Sequence, residues 1–396
     1  MQAETVTGNN PTPPPEAVIG RRKRLFRGDR HIWIIILLLM IISLIEVYST
    51  TDTLAFRKMG GDTDFYFLKQ LKHFLMGLFV IFIVQMFDTR LYMPWGGLLL
   101  IAGILLLAYT LVQGLELNSA RRWTRILGVS MQPSDVVKVP MMVYLATQLA
   151  VNRKKVQDFA WSTVFLVIPI VVTTALIFPE NLSTAVLFGL SSFILLALGN
   201  MPWKHLFLVG GIIVALFLGG ALIMAKNNPQ SRVSTWVNRL TSFQGKEDSF
   251  QAEQAKIAVA SGMFWGKGPG NSTQRIILPL SYSDFIYANS IEEGGLALGL
   301  LLIVLYLWLL VRIMRVVRRS KDAYYVYLAA GLGSMMVLQA FVHMWISVGL
   351  LPVTGQPLPL VSMGGSSIIV NSLALGMILS IARVQKKQEL YEGERV

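Results

Sequence analysis

Gly295–Val311 reads GLALGLLLIVLYLWLLV, 17 residues without a charge. A helix needs roughly 17–25 mostly apolar residues to cross the hydrocarbon core of a bilayer, so this run predicts a membrane span. Directly before it lies a segment of opposite character, Trp265–Gly295, WGKGPGNSTQRIILPLSYSDFIYANSIEEGG, which is polar and rich in glycine. Outward from this pair, further apolar runs occupy Leu206–Ala225, Tyr325–Leu350 and Ser366–Ile381. Towards the N-terminus come Ile32–Val47, Leu71–Phe87, Trp95–Val112, Phe165–Phe178 and Thr184–Leu198. A tenth, Val136–Val151, holds Lys138 and Pro140, so it is expected to be surrounded by other helices rather than by lipid. The expected fold is all-α, a polytopic membrane protein of ten transmembrane helices. A long exported loop, residues 226–290, separates the seventh from the eighth. Residues 31–385 make up the membrane domain, between a basic arm (1–30) and a short tail (386–396).

Basic residues orient the spans, because Lys and Arg in short loops stay on the cytoplasmic side. With both termini inside, twenty Lys and Arg lie in the arm, tail and inner loops and seven in the shorter outer loops. The long loop carries seven more and is exempt, since loops beyond about 60 residues translocate largely regardless of charge. Residues 1–20 hold four prolines and few large apolar groups and are expected to be disordered. The first span lacks a small-residue cleavage site after it and is expected to remain as a signal anchor.

Composition removes several function classes. The chain is 54% hydrophobic and 14% charged and has no cysteine, so disulfides, thiolate catalysis and thiolate metal sites are excluded. Its net charge of +13 sits mostly on the inner side, where anionic headgroups are the expected partner and nucleic acid is not. A transporter would carry ionisable groups along several spans. Here only Glu46, Lys138 and His343 stand out; Glu46 reads as the outer end of a helix and His343 as a satisfied structural histidine.

Polar residues gather instead in three exported clusters. The first is Asn118–Trp123 (NSARRW), then Gln132–Asp135 (QPSD) and Lys138. Pro133 suits the opening turn of a helix, and Asp135 suits its positive end. Lys138 stands three residues on, where an ion pair with Asp135 is available. A buried lysine is costly unless well compensated, which leaves a functional role for Lys138 equally open. Arg121 and Arg122 read either as interfacial anchors or as ligands for phosphate oxygens. The second cluster ends in Ser281–Tyr287 (SYSDFIY), where apolar neighbours hold Asp284 near the membrane surface. Desolvation there would suit a general base, while capping of the following helix is an equally physical reading. Glu292 and Glu293 read as compensating a helix dipole. The third cluster, Leu351–Ser367, alternates proline with apolar residues before Gly364-Gly365-Ser366-Ser367 and is expected to be re-entrant or tightly packed. Its serines read as caps, since no base lies nearby.

From Arg27 to Val384 these clusters resemble the SEDS family, the shape, elongation, division and sporulation proteins. The resemblance rests on Ala120–Trp123, Gln132–Lys138, Gly266–Ser272 (GKGPGNS), Ser283–Ala288 (SDFIYA) and Pro357–Ser367 (PLPLVSMGGSS). Gly270-Asn271-Ser272 and the basic arm are more similar to the division branch of that family than to the elongation branch. The resemblance implies an inverting peptidoglycan glycosyltransferase that polymerises lipid II outside the bacterial cytoplasmic membrane, with the septum as its site. It places the family's essential aspartate at Asp284 and its lysine at Lys138. It also implies substrate binding by the matched segments, at Arg121, Arg122, Trp123, Gln132, Ser134, Asn271, Ser272, Ser283, Ser362, Gly364, Gly365, Ser366 and Ser367. No organic cofactor is implied; a divalent cation, Mg or Mn, could assist the leaving group. The implied partners are a class B penicillin-binding protein and other division-complex membrane proteins.

Departures from the family pattern limit what carries over. Pro-Glu-Ala-His-Thr-Asp becomes Pro279-Leu-Ser-Tyr-Ser-Asp284, so a glutamate and a histidine are lost and the aspartate stays. Pro-Asp-Leu-Gly-Thr becomes a segment ending Glu180-Asn-Leu-Ser-Thr184, which suits a loop role better than a metal-binding one. Met363 replaces a tyrosine. Two other classes remain, a lipid II flippase and a scaffold that only activates a transpeptidase.

Overall fold

The structure, a computed structural model, describes residues 28–60, 62–117, 120–126, 129–179, 181–227, 250–278 and 280–393. The arm up to residue 27, Gly61, positions 118–119 and 127–128, Glu180, the loop centre 228–249, Pro279 and the last three residues lie outside them.

Seven helices among the described residues are long and apolar enough to cross a membrane. They are α1 (Arg30–Thr50), α3 (Asp64–Val84), α4 (Gly96–Gln113), α7 (Phe159–Ile177, with a π-helical stretch at Thr163–Val167), α12 (Ile286–Arg319), α13 (Ala323–Ser347) and α14 (Gly365–Gly393). Three further units bring the total to ten: α5 (Pro133–Val136) with α6 (Lys138–Val151), α8 (Leu182–Leu198) and α9 (Trp203–Asn227). The remaining helices, α2 (Asp52–Met59), α10 (Phe250–Ser261) and α11 (Gln274–Ile277), lie in connections. The fold is therefore a ten-span helical membrane protein. A small antiparallel sheet joins α4 to α5, with strands β1 (Leu115–Leu117), β2 (Ala120–Ile126) and β3 (Val129–Met131) in that order.

Burial separates centre from rim. In α13 and α14, 67% and 78% of the apolar window is buried, against 28% in α3 and α4. The central α13 packs against α6, α8, α12 and α14. Within it Gly331 and Gly333 let neighbours approach closely, since a Cβ at Gly333 would stand 2.6 Å from Ile313.

One element departs from a simple span. The helix α12 is broken at Gly295, whose φ of 71° and ψ of −177° are open to glycine and strained for other residues. Before the break, Ile286–Ser290 and Glu292–Glu293 are all buried. After it, Leu296, Leu300, Leu301, Val304, Leu307 and Val311 are exposed at helical spacing, as on a lipid-facing stripe. The eighth span thus begins after Gly295, as expected, and is preceded by a buried half-helix, Ile286 to Gly294. The break leaves carbonyls that a helix would satisfy, and the glycine-rich loop takes them. Lys267 N donates to Glu292 O, Gly268 N to Glu293 O, and Leu296 N and Ala297 N to Met263 O and Phe264 O. Added Cβ atoms at Gly262, Gly266 or Gly295 would fall 2.0–2.2 Å from the opposing carbonyl oxygens.

Candidate active site

Asp284 lies two residues before the half-helix, partly exposed. Phe285, not Asp284, occupies the position before the first helical residue. The turn is tight: the N–H groups of Ser283 and Asp284 both donate to Leu280 O at 3.0 Å, and Leu280 has a left-handed φ of 59°. A second loop holds it there. Ser362 Oγ donates to Ser283 O at 2.6 Å while accepting from Leu358 N at 2.8 Å, and Met363 N donates to Tyr282 O at 3.0 Å. Leu360, inside that second loop, also has a left-handed φ, 63°. Two strained leucines facing one latch are the kind of backbone that surrounding contacts must over-determine. Beside Asp284, burial pushes the Tyr282 phenol above its ordinary pKa, with the Asp284 charge and Tyr66 adding to it.

The third cluster is tightly packed, as expected. Val353, Thr354, Gln356, Leu358 and Leu360–Ser362 are buried, and Tyr306 donates to Pro359 O. Its link to the first cluster runs through α13. Lys138 Nζ lies 2.8 Å from Asp135 Oδ1 and 3.2 Å from Gln339 Oε1, and Gln339 Nε2 donates to Pro357 O at 2.9 Å. The ion pair predicted from the i+3 spacing is present, and both partners are buried. These contacts of Lys138 lead to the loop behind Asp284. His343, one turn beyond Gln339, hydrogen-bonds Gln356 O at 2.7 Å through Nδ1, but its Nε2 is buried without a partner, so it is not the satisfied histidine expected.

The other candidates divide. Gln132 Nε2 donates to Ser134 Oγ at 2.9 Å, Pro133 opens α5, and α14 packs against both α5 and β3. Trp123 lies in β2, opposite Leu115; Arg121 and Arg122 are in the same strand, and their side chains lie outside what is described. Gly364 is partly exposed and a Cβ there would meet no clash, whereas one at Gly365 would strike the His73 ring at 2.5 Å. Ser366 and Ser367 are buried in the first turn of α14, and Asn371 Nδ2 donates to Ser367 Oγ at 3.2 Å. Asn181 Oδ1 accepts from Thr184 N at 3.1 Å and from Gln356 Nε2 at 3.2 Å, the loop role its amide suggested.

Asn271 and Ser272 belong to a different assembly. Ser272 Oγ donates to Glu292, and Asn271, exposed, donates to Lys267 O. Glu292 is its hub: it accepts from Lys267 Nζ at 2.6 Å, Thr273 N at 3.1 Å, Thr273 Oγ1 at 2.9 Å and Gln274 N at 3.2 Å. Glu293 points the other way, towards Ser49 and Glu46 of α1. Both glutamates are buried, so dipole compensation does not describe them, and Glu46 is buried too rather than a free outer end. The β-strands and this buried acid group were missed from sequence. The two-residue separations between Leu117 and Ala120 and between Ile126 and Val129 are a hairpin signal that could have found the strands.

The chain matches the family model described as cell cycle protein, FTSW_RODA_SPOVE, over residues 29–387. It belongs to the FtsW/RodA/SpoVE family. The probable peptidoglycan glycosyltransferase FtsW of Halomonas elongata is 32% identical over 369 residues, covering 88% of this chain and 89% of that protein. Stage V sporulation protein E of Bacillus subtilis is 31% identical over 364 residues, covering 90% and 98%. In fold, this FtsW/RodA/SpoVE member is similar to a chain of a solved structure described as "Structural coordination of polymerization and crosslinking by a peptidoglycan synthase complex". The TM-score is 0.71 at 22% identity, covering 90% of this chain and 98% of the other. The rod shape determining protein RodA of Thermus thermophilus gives 0.66 at 20% identity, covering 90% and 97%.

Proposed function

We propose that this protein is a peptidoglycan glycosyltransferase that polymerises lipid II at the outer face of the bacterial cytoplasmic membrane, with Asp284 as general base. The observation that carries the reading is the latched turn: a partly exposed aspartate on a tight turn pinned by the loop of the third polar cluster, which Gln339 links to Lys138 of the first. In the reaction, the 4-hydroxyl oxygen of the acceptor forms a bond to C1 of the donor sugar. The bond from C1 to the pyrophosphate oxygen breaks, and the hydroxyl proton passes to the Asp284 carboxylate. A donor with an α-linked pyrophosphate and a β-1,4-linked product require one inversion and therefore one base. The leaving group needs positive charge rather than an acid, which Arg121, Arg122 and Lys138 would supply. Among the described residues no three His, Cys, Asp or Glu gather to hold an ion.

With both termini cytoplasmic, Asp284 faces outward, where lipid II is polymerised. The synthase complex named for the structural relative supports a class B penicillin-binding protein as partner, and the FtsW relatives support a place at the division septum among other membrane proteins of that complex. The test is polymerisation of purified lipid II by the protein with its cognate transpeptidase, comparing wild type with Asp284→Asn at equal assembly. Loss of glycan strands is expected. Undiminished synthesis by the variant would remove Asp284 from the chemistry, and inactive wild type would favour a flippase or a scaffold.

A further inference from the structure

The half-helix buries a second acid group that the proposed reaction does not use. Glu46 and Ser49 come from the last turns of α1, Asn289 and Glu293 from the half-helix, and each is at most 6% exposed. The two carboxylates lie close enough for their charges to interact. Ser49 Oγ donates to Glu293 Oε1 at 2.5 Å, and the Asn289 amide nitrogen lies 3.5 Å from Glu46 Oε2. What remains is unsatisfied: Glu293 Oε2 and Asn289 Oδ1 are buried without a hydrogen-bond partner.

Arg275 is the one cation whose charge is seen to reach Glu293, and Glu46 meets none among the described residues. Lys267 is committed to Glu292, and Arg275 pairs with Asp52 at 2.8 Å and donates to Ser49 O at 2.7 Å. Two buried carboxylates sharing one arginine that is already paired with Asp52 are under-compensated in a membrane protein. A proton on one carboxylate would cancel one charge and donate to one acceptor, leaving the other orphaned oxygen as it was. A cation answers all of them together. The available atoms are carboxylate, amide carbonyl and hydroxyl oxygens, the ligands of a hard ion, and two carboxylates balance a divalent charge.

We infer that Glu46, Asn289 and Glu293, with Ser49, form a binding site for a hard divalent cation that ties α1 to the half-helix following Asp284. Water completes the shell, as is usual for magnesium. Asn289 lies five positions after Asp284, so the ion fixes the root of the catalytic turn without touching the reacting atoms.

The experiment uses the full chain in detergent after chelation, with Mn2+ as probe, read by electron paramagnetic resonance and by the thermal midpoint. Wild type is expected to bind one Mn2+ per chain and to melt higher with it. Glu46→Gln and Glu293→Gln should each weaken binding by about tenfold or more and lose the thermal shift, while Asn289→Asp, which keeps an oxygen, should retain both. Asp284→Asn should bind as wild type does, which separates this site from an ion in the candidate active site and makes the outcome independent of the proposed activity. Binding lost in Asp284→Asn and kept in Glu46→Gln would overturn the inference. So would a thermal shift with Na+ but none with Mn2+, or no stoichiometric binding by wild type.

Discussion

Glu292 and Glu293 are neighbours in the chain, identical in chemistry and alike in burial, yet they end in opposite surroundings. Glu292 faces the glycine-rich loop and accepts hydrogen bonds from a lysine, three hydroxyls and two backbone N–H groups. Glu293, about 100° further round the helix, faces α1, where it meets the Ser49 hydroxyl, the Gly270 N–H, the Asn289 amide, the charge of Arg275 and a second carboxylate. Glu292 has a lysine and its donors to itself, whereas Glu293 shares its surroundings with another acid. Burial of a charge is stabilising only when the surroundings bring donors to it, and here a single step along the helix separates the two cases.

The largest way to break this comparison is Gly295→Ala. The new Cβ would fall 2.2 Å from Phe264 O at a φ of 71°, so the loop that feeds Glu292 cannot close. A loss of at least about 3 kcal/mol, or no folded protein, is expected in thermal unfolding; an unchanged midpoint would mean that the break is dispensable. Next is Glu292→Gln, which leaves Lys267 and the N–H groups facing a weaker acceptor. The expected cost is about 2–3 kcal/mol, reduced from a fully buried pair because Lys267 is 30% exposed.

Ser362→Ala asks whether order at the half-helix is enough to hold Asp284. It removes the 2.6 Å bond to Ser283 O, with an expected cost of about 1 kcal/mol in stability. Turnover should fall about tenfold or more with KM little changed, because the base is displaced while binding surfaces stay; equal loss in both would assign Ser362 to substrate binding. The smallest effect is expected of Glu293→Gln in metal-free protein, within about 1 kcal/mol of wild type, since the new amide can donate to the orphaned Asn289 oxygen. A cost as large as that of Glu292→Gln would erase the difference between the two acids.

The spans were legible because hydrocarbon thickness sets a minimum run of apolar residues, and Gly295–Val311 meets it unaided. The Asp135–Lys138 pair was legible because helical spacing alone brings it together. The half-helix was not: Ile286–Gly294 carries Asn289, Glu292 and Glu293, and its polarity reads as loop until the partners that bury it are known. Those partners, Ser49 and Glu46 on α1 and Lys267 on the loop, are set by tertiary packing, which no local pattern encodes. For the same reason Asn271 and Ser272 read as substrate ligands, whereas Ser272 is occupied with Glu292. Ser362 likewise read as a substrate ligand, and its contact is with the backbone beside Asp284.

The latch also has an order in time. Ser283 and Ser362 stand 79 residues apart, while Ser261, Lys267 and Ser272 reach Glu292 across 31 residues or fewer. Because a chain is made from its N-terminus and local contacts close first, the glycine loop can fold around Glu292 while α13 and α14 are still being synthesised. The turn that carries Asp284 waits for the loop before the final span. Its aspartate is synthesised before the partner that latches it, so the turn is held only once that loop has been made.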